Sequence, residues 1–235
     1  MSGSSPAANV LTISEYEKLP RPLRVDQLKL LLTNLDMPYR LMAEWAVATG
    51  LRRKELCGLT VAQVPATSEL DAADYPLIGM PLVITKGDRP RSAYIPVRLI
   101  DRTHWYIGED RASLVRRSRR SRPGYQPPMS LFLNRHGAGV TRARLTAAFA
   151  AAFRAARLDG SLHWLRHTFA MTILVRLQAQ ATVKPDINPL KVLQILLGHG
   201  SIQTTAIYLR CVELHARDIA ASLDYLYGSA ILDGV

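Results

Sequence analysis

The chain has 235 residues, 48% of them apolar and 7% aromatic, which suits one large core or two modest ones and excludes a disordered polypeptide. Its formal net charge of +11 and pI near 10.0 point to a polyanionic partner, nucleic acid first among them. No stretch reaches the roughly 18 consecutive apolar residues of a membrane span, and the two cysteines, Cys57 and Cys211, stand in no metal-ligand spacing.

Met1 to Ser5 lack the basic-then-apolar layout of a signal peptide, so a cytoplasmic, reducing setting is expected. Residues 1–20, rich in Ser, Gly, Ala and Pro, read as a flexible tail or linker remnant. A helix is expected over Asp26–Leu35, with Leu28, Leu31, Leu32 and Leu35 on one stripe and Asp26 as its cap. A second begins at Pro38, buries Leu41, Met42, Trp45 and Ala46, and stops at Gly50. A cation cluster follows at once, Leu51-Arg52-Arg53-Lys54-Glu55, with Arg52 and Glu55 three apart and on one side.

From Pro81 to Val97 the pattern becomes that of a hairpin. The strands are Leu82–Thr85 and Ala93–Val97, and Lys86-Gly87-Asp88-Arg89-Pro90 forms the turn. Lys86 stands where the first strand meets that turn. Residues 111–122 hold six arginines and no acid, and the prolines and glycine that follow suggest a partly ordered basic loop. Its Arg116, Arg117, Arg119, Arg120 and Arg122 are candidate contacts to DNA phosphates.

Thr141–Leu158 repeats Leu145, Phe149 and Phe153 every fourth residue and reads as a core helix. Another runs from His163 to about Gln178, with His163 and Arg166 on one face. Asn188 caps a helix opened by Pro189 and ended by Gly198. His199 then sits in a Gly-His-Gly turn, and Tyr208 lies on a short helix expected to start at Ser201. Val212–Tyr227 is expected as a last amphipathic helix. The fold class is therefore mainly α with a small antiparallel β-sheet (α+β).

Taken in order, Arg52, Lys86, His163, Arg166, His199 and Tyr208 make a pattern. The Thr-Gly-Leu-Arg turn at Thr49–Arg52 has an acid three residues on. A hairpin lysine follows, then His-x-x-Arg, then Leu-Gly-His with a tyrosine nine residues later. Over roughly residues 25–227 this resembles the tyrosine recombinases, the phage-integrase and Xer-like family. The resemblance implies the catalytic-domain fold of that family over residues 21–235. It also implies an N-terminal helical domain that clamps the far side of the DNA, for which some twenty linker-like residues are too few. The chain is thus expected to be a catalytic fragment, or to be helped by a partner.

The reaction implied is attack of a tyrosine on a DNA phosphodiester, leaving a 3′-phosphotyrosyl bond and a free 5′-hydroxyl, with no metal, cofactor or ATP. Tyr208 is the implied nucleophile. Arg52 and Arg166 clamp the phosphate, since a planar guanidinium donates two hydrogen bonds and stays charged. His199 is a further donor, His163 handles the phenol's proton, Lys86 protonates the leaving oxygen and Glu55 orients the basic side chains beside it. His167, next to Arg166, is taken as structural and stands outside this set. The expected partners are double-stranded DNA, three further copies in a homotetramer on two duplexes, and an accessory recombinase or DNA-bending protein, with no membrane. The bacterial nucleoid is the expected place of action. Two alternatives share the chemistry or the fold: a type IB topoisomerase that relaxes supercoils, and a DNA-binding module that does not cleave.

Overall fold

The structure, a computed structural model, describes residues 22–66, 77–82 and 91–215. It is mainly helical around one two-stranded sheet, the expected fold class. Helix α1 (Val25–Thr33) starts one residue before the expected Asp26. Arg24 holds the cap position, and its guanidinium pairs with Asp26 at 2.9 Å. In α2 (Tyr39–Thr49) Pro38 is the cap residue, and the helix stops where Gly50 turns left-handed. A side chain at Gly50 would press on the Phe169 ring at 2.5 Å, so this stop is also a close-packing point. Trp45, fully buried in α2, donates its indole N–H to Thr103 at 3.0 Å. Short α3 (Arg53–Gly58) follows directly.

The sheet pairs β1 (Leu77–Leu82) with β2 (Arg91–Pro96), antiparallel, in a register that sets Leu82 opposite Arg91. The first strand therefore begins at Leu77, ahead of the expected Leu82, which it includes, and Val97 opens a helix instead of closing a strand. Residues 83–90, Lys86 among them, lie outside the described residues. Helix α4 (Val97–Tyr106), which the sequence pattern does not anticipate, continues through a π-helical turn at Ile107–Arg111 into α5 (Ala112–Ser121).

The arginine-rich segment is thus a helix and not the expected loop. Val115 and Ser118 are buried three apart and define its inner stripe. Arg111 turns inward as well, donating to the carbonyls of Pro128 at 2.7 Å and Leu131 at 3.2 Å. Arg116, Arg117, Arg119, Arg120 and Arg122 are exposed.

The remaining helices are α6 (Arg142–Ala155), α7 (Leu162–Ala181), α8 (Pro189–Leu197) and α9 (Gln203–His215). Thr141 caps α6 by accepting from the Arg144 N–H, and Asn188 caps α8 in the same way through Lys191. Helix α9 starts two residues after Ser201, whose Oγ accepts the Gln203 N–H at 3.2 Å. It runs unbroken past Val212, so the expected last helix does not begin there; residues 216–235 lie outside the described residues.

Two apolar clusters result. The larger gathers α1 to α4, α6, the sheet and Leu165 of α7, while the smaller joins Phe169, Ala170, Met171 and Leu174 of α7 to Leu193, Leu197 and Tyr208. Helix α7 packs on α2 and spans both. Among the described residues, no helix is long and apolar enough to cross a membrane.

Candidate active site

Glu55 anchors one side of the site. Its carboxylate is 2% exposed, and two guanidinium groups reach it. Arg52 donates through its backbone N–H at 2.7 Å and through Nη1 at 3.1 Å. Arg91, the first residue of β2, donates through Nε at 3.1 Å and Nη2 at 2.6 Å. Burial pushes the Glu55 carboxyl up, but the hydrogen bonds and charge of Arg91, with the Arg52 bond added, outweigh it and hold it below its ordinary value. Glu55 therefore stays ionised and holds both cations in place.

Neither arginine ends at Glu55. Arg52 Nη2 donates to the Gly198 carbonyl at 3.1 Å, and Arg91 Nη1 to the Leu196 carbonyl at 2.9 Å. Both therefore hold the last turn of α8 and the loop that carries His199. Gly198 adopts φ +61°, and a Cβ there would come within 2.2 Å of Arg91 Cδ. Only glycine suits that position, on grounds of both backbone and space.

Arg166, 3% exposed on α7, completes the group. It donates to the Gly50 carbonyl and, at 2.8 Å, to the Leu197 carbonyl. Its Nη2 also lies 3.1 Å from His199 Nε2. Burial, then the like charges of Arg52 and Arg91, bring the Arg166 guanidinium down to about 9, still high enough to stay charged at neutral pH. A guanidinium only donates, so His199 Nε2 accepts here. His199 Nδ1 then carries the hydrogen and donates to Thr205 Oγ1 at 2.9 Å. Burial and the charges of Arg166, Arg52 and Arg91 keep His199 neutral, at about 4. In this state it presents a lone pair to Arg166, while its N–H is taken up by Thr205.

Tyr208 is 3% exposed, its ring parallel to that of His199 with centroids 6.4 Å apart. Its hydroxyl lies 3.0 Å from Nδ1 of His167, the histidine taken as structural from the sequence. The exposed His163 ring stands edge-on to the His167 ring at 4.3 Å, one helical turn away. Burial first lowers both imidazoles; Arg166 and Arg52 add to it at His163, and His163 then Arg166 at His167, which falls to about 4. Both are neutral at pH 7.

A cavity of about 440 Å³ opens beside this cluster, lined by Arg52, Arg53, His163 and Arg166 together with Thr146 and Ala150 of α6. Arg117 of α5 lines a different hollow, with Arg144 and Ala148. Ala148 and Ala150 are two residues apart, about 200° around the helix. Helix α6 therefore stands between the arginine-rich helix and the cation cluster.

Five of the six residues singled out from sequence are thus brought together: Arg52, His163, Arg166, His199 and Tyr208. Lys86 lies outside the described residues. Two participants were missed. His167 offered no signal beyond adjacency to Arg166, and Arg91 none at all, because its partner Glu55 is 36 positions away. Among the described residues, no three His, Cys, Asp or Glu side chains gather where a metal ion would sit.

A helical domain with a two-stranded antiparallel sheet, three converging guanidinium groups and a buried tyrosine between two imidazoles defines a class, and comparison with known proteins gives the same one. The sequence profile of the phage integrase family matches residues 21–214, and the chain belongs to that family, the tyrosine recombinases. It is 28% identical over 221 residues to tyrosine recombinase XerD of Lacticaseibacillus casei, covering 90% of this chain and 66% of the relative. To tyrosine recombinase XerC of Halalkalibacterium halodurans it is 31% identical over 213 residues, covering 86% and 62%. The chain therefore spans about two thirds of the length of these relatives. Among solved structures, the fold is similar to XerH site-specific recombinase in a post-cleavage complex with its palindromic difH substrate, with a TM-score of 0.59. Identity is 22%, covering 88% of this chain and 53% of that one. XerA recombinase gives a TM-score of 0.57 at 22% identity, covering 88% and 64%.

Proposed function

We propose that this chain is the catalytic domain of a site-specific DNA recombinase that cleaves and rejoins duplex DNA through a 3′-phosphotyrosyl intermediate. The observation that carries the reading is the charge of the cluster. Arg52, Arg91 and Arg166 converge, and among the described residues Glu55 is the carboxylate that meets them. Like charges held this close are unfavourable until an anion joins them, and a phosphodiester in attack concentrates negative charge where fixed donors are most effective.

Tyr208 is the nucleophile in this reading. Arg52 and Arg166 exchange carbonyl partners for phosphate oxygens, His199 adds a hydrogen bond to the phosphate, His163 handles the phenol's proton, and Lys86 supplies the proton to the 5′-oxygen. The phosphotyrosyl bond conserves the diester, so rejoining to another 5′-hydroxyl needs neither ATP nor a metal. The working form is a tetramer on two duplexes, assisted by an accessory recombinase or DNA-bending protein, acting on the chromosome in the cytoplasm. Arg116, Arg117, Arg119, Arg120 and Arg122 bind phosphates away from the cleavage point.

The test starts from duplexes selected by this protein out of a random pool and nicked at successive positions near the bound centre. A protein–DNA adduct that survives denaturation is expected from the wild type and not from Tyr208→Phe, with affinity within a few-fold. Full binding with no adduct at any nick would favour a non-cleaving module. Relaxation of supercoiled plasmid without joining of two sites would favour a topoisomerase.

A further inference from the structure

The 3.0 Å contact between His167 Nδ1 and the Tyr208 hydroxyl has no place in the scheme above, which assigns the phenol's proton to His163. Three facts define the contact. The Tyr208 ring is buried in the smaller apolar cluster, so the hydroxyl is the end of the side chain that meets polar groups. His167 lies on α7 next to Arg166, whose backbone is fixed by packing against α2. The His167 ring is itself backed by His163 at 4.3 Å, and this limits its own rotation.

We infer that His167 is the positioning residue for the nucleophile: its neutral Nδ1 accepts the Tyr208 O–H and sets the direction from which the phenol oxygen meets the phosphate. This rests on the reading of Tyr208 as nucleophile. The groups that face His167 are His163, Arg166 and Tyr208. The first two are a neutral ring and a cation, and neither would stabilise a second positive charge.

Positioning is separated from base catalysis by magnitude. The imidazolium of His167 would release its proton at about pH 4, because burial and then the nearby His163 and Arg166 oppose its charge. A free phenol releases its own near pH 10. Transfer from a phenol to this imidazole is therefore strongly unfavourable, and the ring works as an acceptor that orients, not as a proton sink. Once the phosphate is clamped by Arg52 and Arg166, the same bond fixes which lone pair of the phenol oxygen faces phosphorus. Errors of about an ångström in such placement cost on the order of a hundredfold in rate.

Two substitutions separate the roles. His167→Phe keeps an aromatic ring and removes the acceptor, whereas His167→Asn keeps a polar atom near the Nδ1 position without a titrating group. On the nicked duplexes described above, His167→Phe is expected to slow single-turnover adduct formation on the order of 100-fold. DNA affinity and melting temperature should stay close to the wild type. His167→Asn should recover to within about tenfold of the wild-type rate, with an unchanged pH profile between 6 and 9. If Asn is as slow as Phe, His167 is a base and the positioning role is wrong. If Phe reacts as fast as the wild type, the contact has no part in the reaction. Absence of adduct from the wild type would instead remove Tyr208 as nucleophile, and His167's role with it.

Discussion

The larger apolar cluster is built around Trp45, Leu56, Ile100 and Phe149, and its edge carries Arg52, Glu55 and Arg91. The smaller contains seven buried residues, one of which is Tyr208 itself. Arg52, Glu55 and Arg91 are therefore fixed to the well-packed half of the molecule, and Tyr208 to the half with less apolar surface to hold it. Free energies of local opening follow the extent of burial, so α8, α9 and the loop between them are the part able to shift while the cation cluster stays put. Such a division suits the proposed role of Tyr208, which is 3% exposed here and in that proposal meets a backbone phosphate. Arg91, Arg52 and Arg166 are the ties between the halves, through the carbonyls of Leu196, Leu197 and Gly198.

Breaking the clamp should have the largest effect on that arrangement. Arg166→Ala and Arg52→Ala are each expected to slow adduct formation by about 10²–10³-fold, in line with about 3–4 kcal/mol for a preorganised donor. DNA affinity should fall by less than tenfold. Equal losses in rate and affinity would mean that these arginines only bind. Cutting one tie comes next. Arg91→Met leaves buried Glu55 with Arg52 alone, and removing one partner of a buried ion pair costs about 3–5 kcal/mol. Differential scanning calorimetry should show a fall of roughly 6–20 °C in Tm; an unchanged Tm would sink the anchoring role of Glu55.

Acid should loosen the smaller half first. His167 and His199 are each held at about 4, against an ordinary value of 6.5, so the unfolded chain binds more protons throughout that interval. Stability is then complete above about pH 6.5 and falls as pH drops toward 4. After allowance for partial exposure, each contributes about 1–2 kcal/mol. His199→Asn should flatten the dependence of Tm on pH, and an identical slope would contradict the assignment. The smallest effect belongs to α5, which lies across α6 from the cluster. Replacing Arg119 and Arg120 with Gln should lower the slope of log affinity against log salt by about 0.9 for each phosphate no longer neutralised, with cleavage of bound DNA unchanged.

How much of this was legible in the sequence depended on distance along the chain. His163 and Arg166, Arg52 and Glu55, and the Leu-Gly-His turn are local patterns, and the structure brings them to one place. Arg91 acts through groups 36 and 105 positions away, which no local spacing reveals. His167 differs from an ordinary helix histidine only once Tyr208, 41 residues later, packs against it. The arginine run hid a helix because its inner stripe is short and includes Ser118, a small polar residue that gives no hydrophobic signal. The capped and glycine-stopped helices were the easiest to place, since Asn188, Gly50 and Gly198 mark their ends by backbone chemistry alone.

The most direct test of the account is to find where the DNA is attached. Cleavage after Lys191 and Arg210 releases residues 192–210, which contain Tyr208 and no other tyrosine. After adduct formation, nuclease digestion and trypsin, mass spectrometry should find this peptide heavier by a nucleotide remnant, with the added mass on Tyr208. The remnant on any other peptide, or on His199 within this one, would contradict the account.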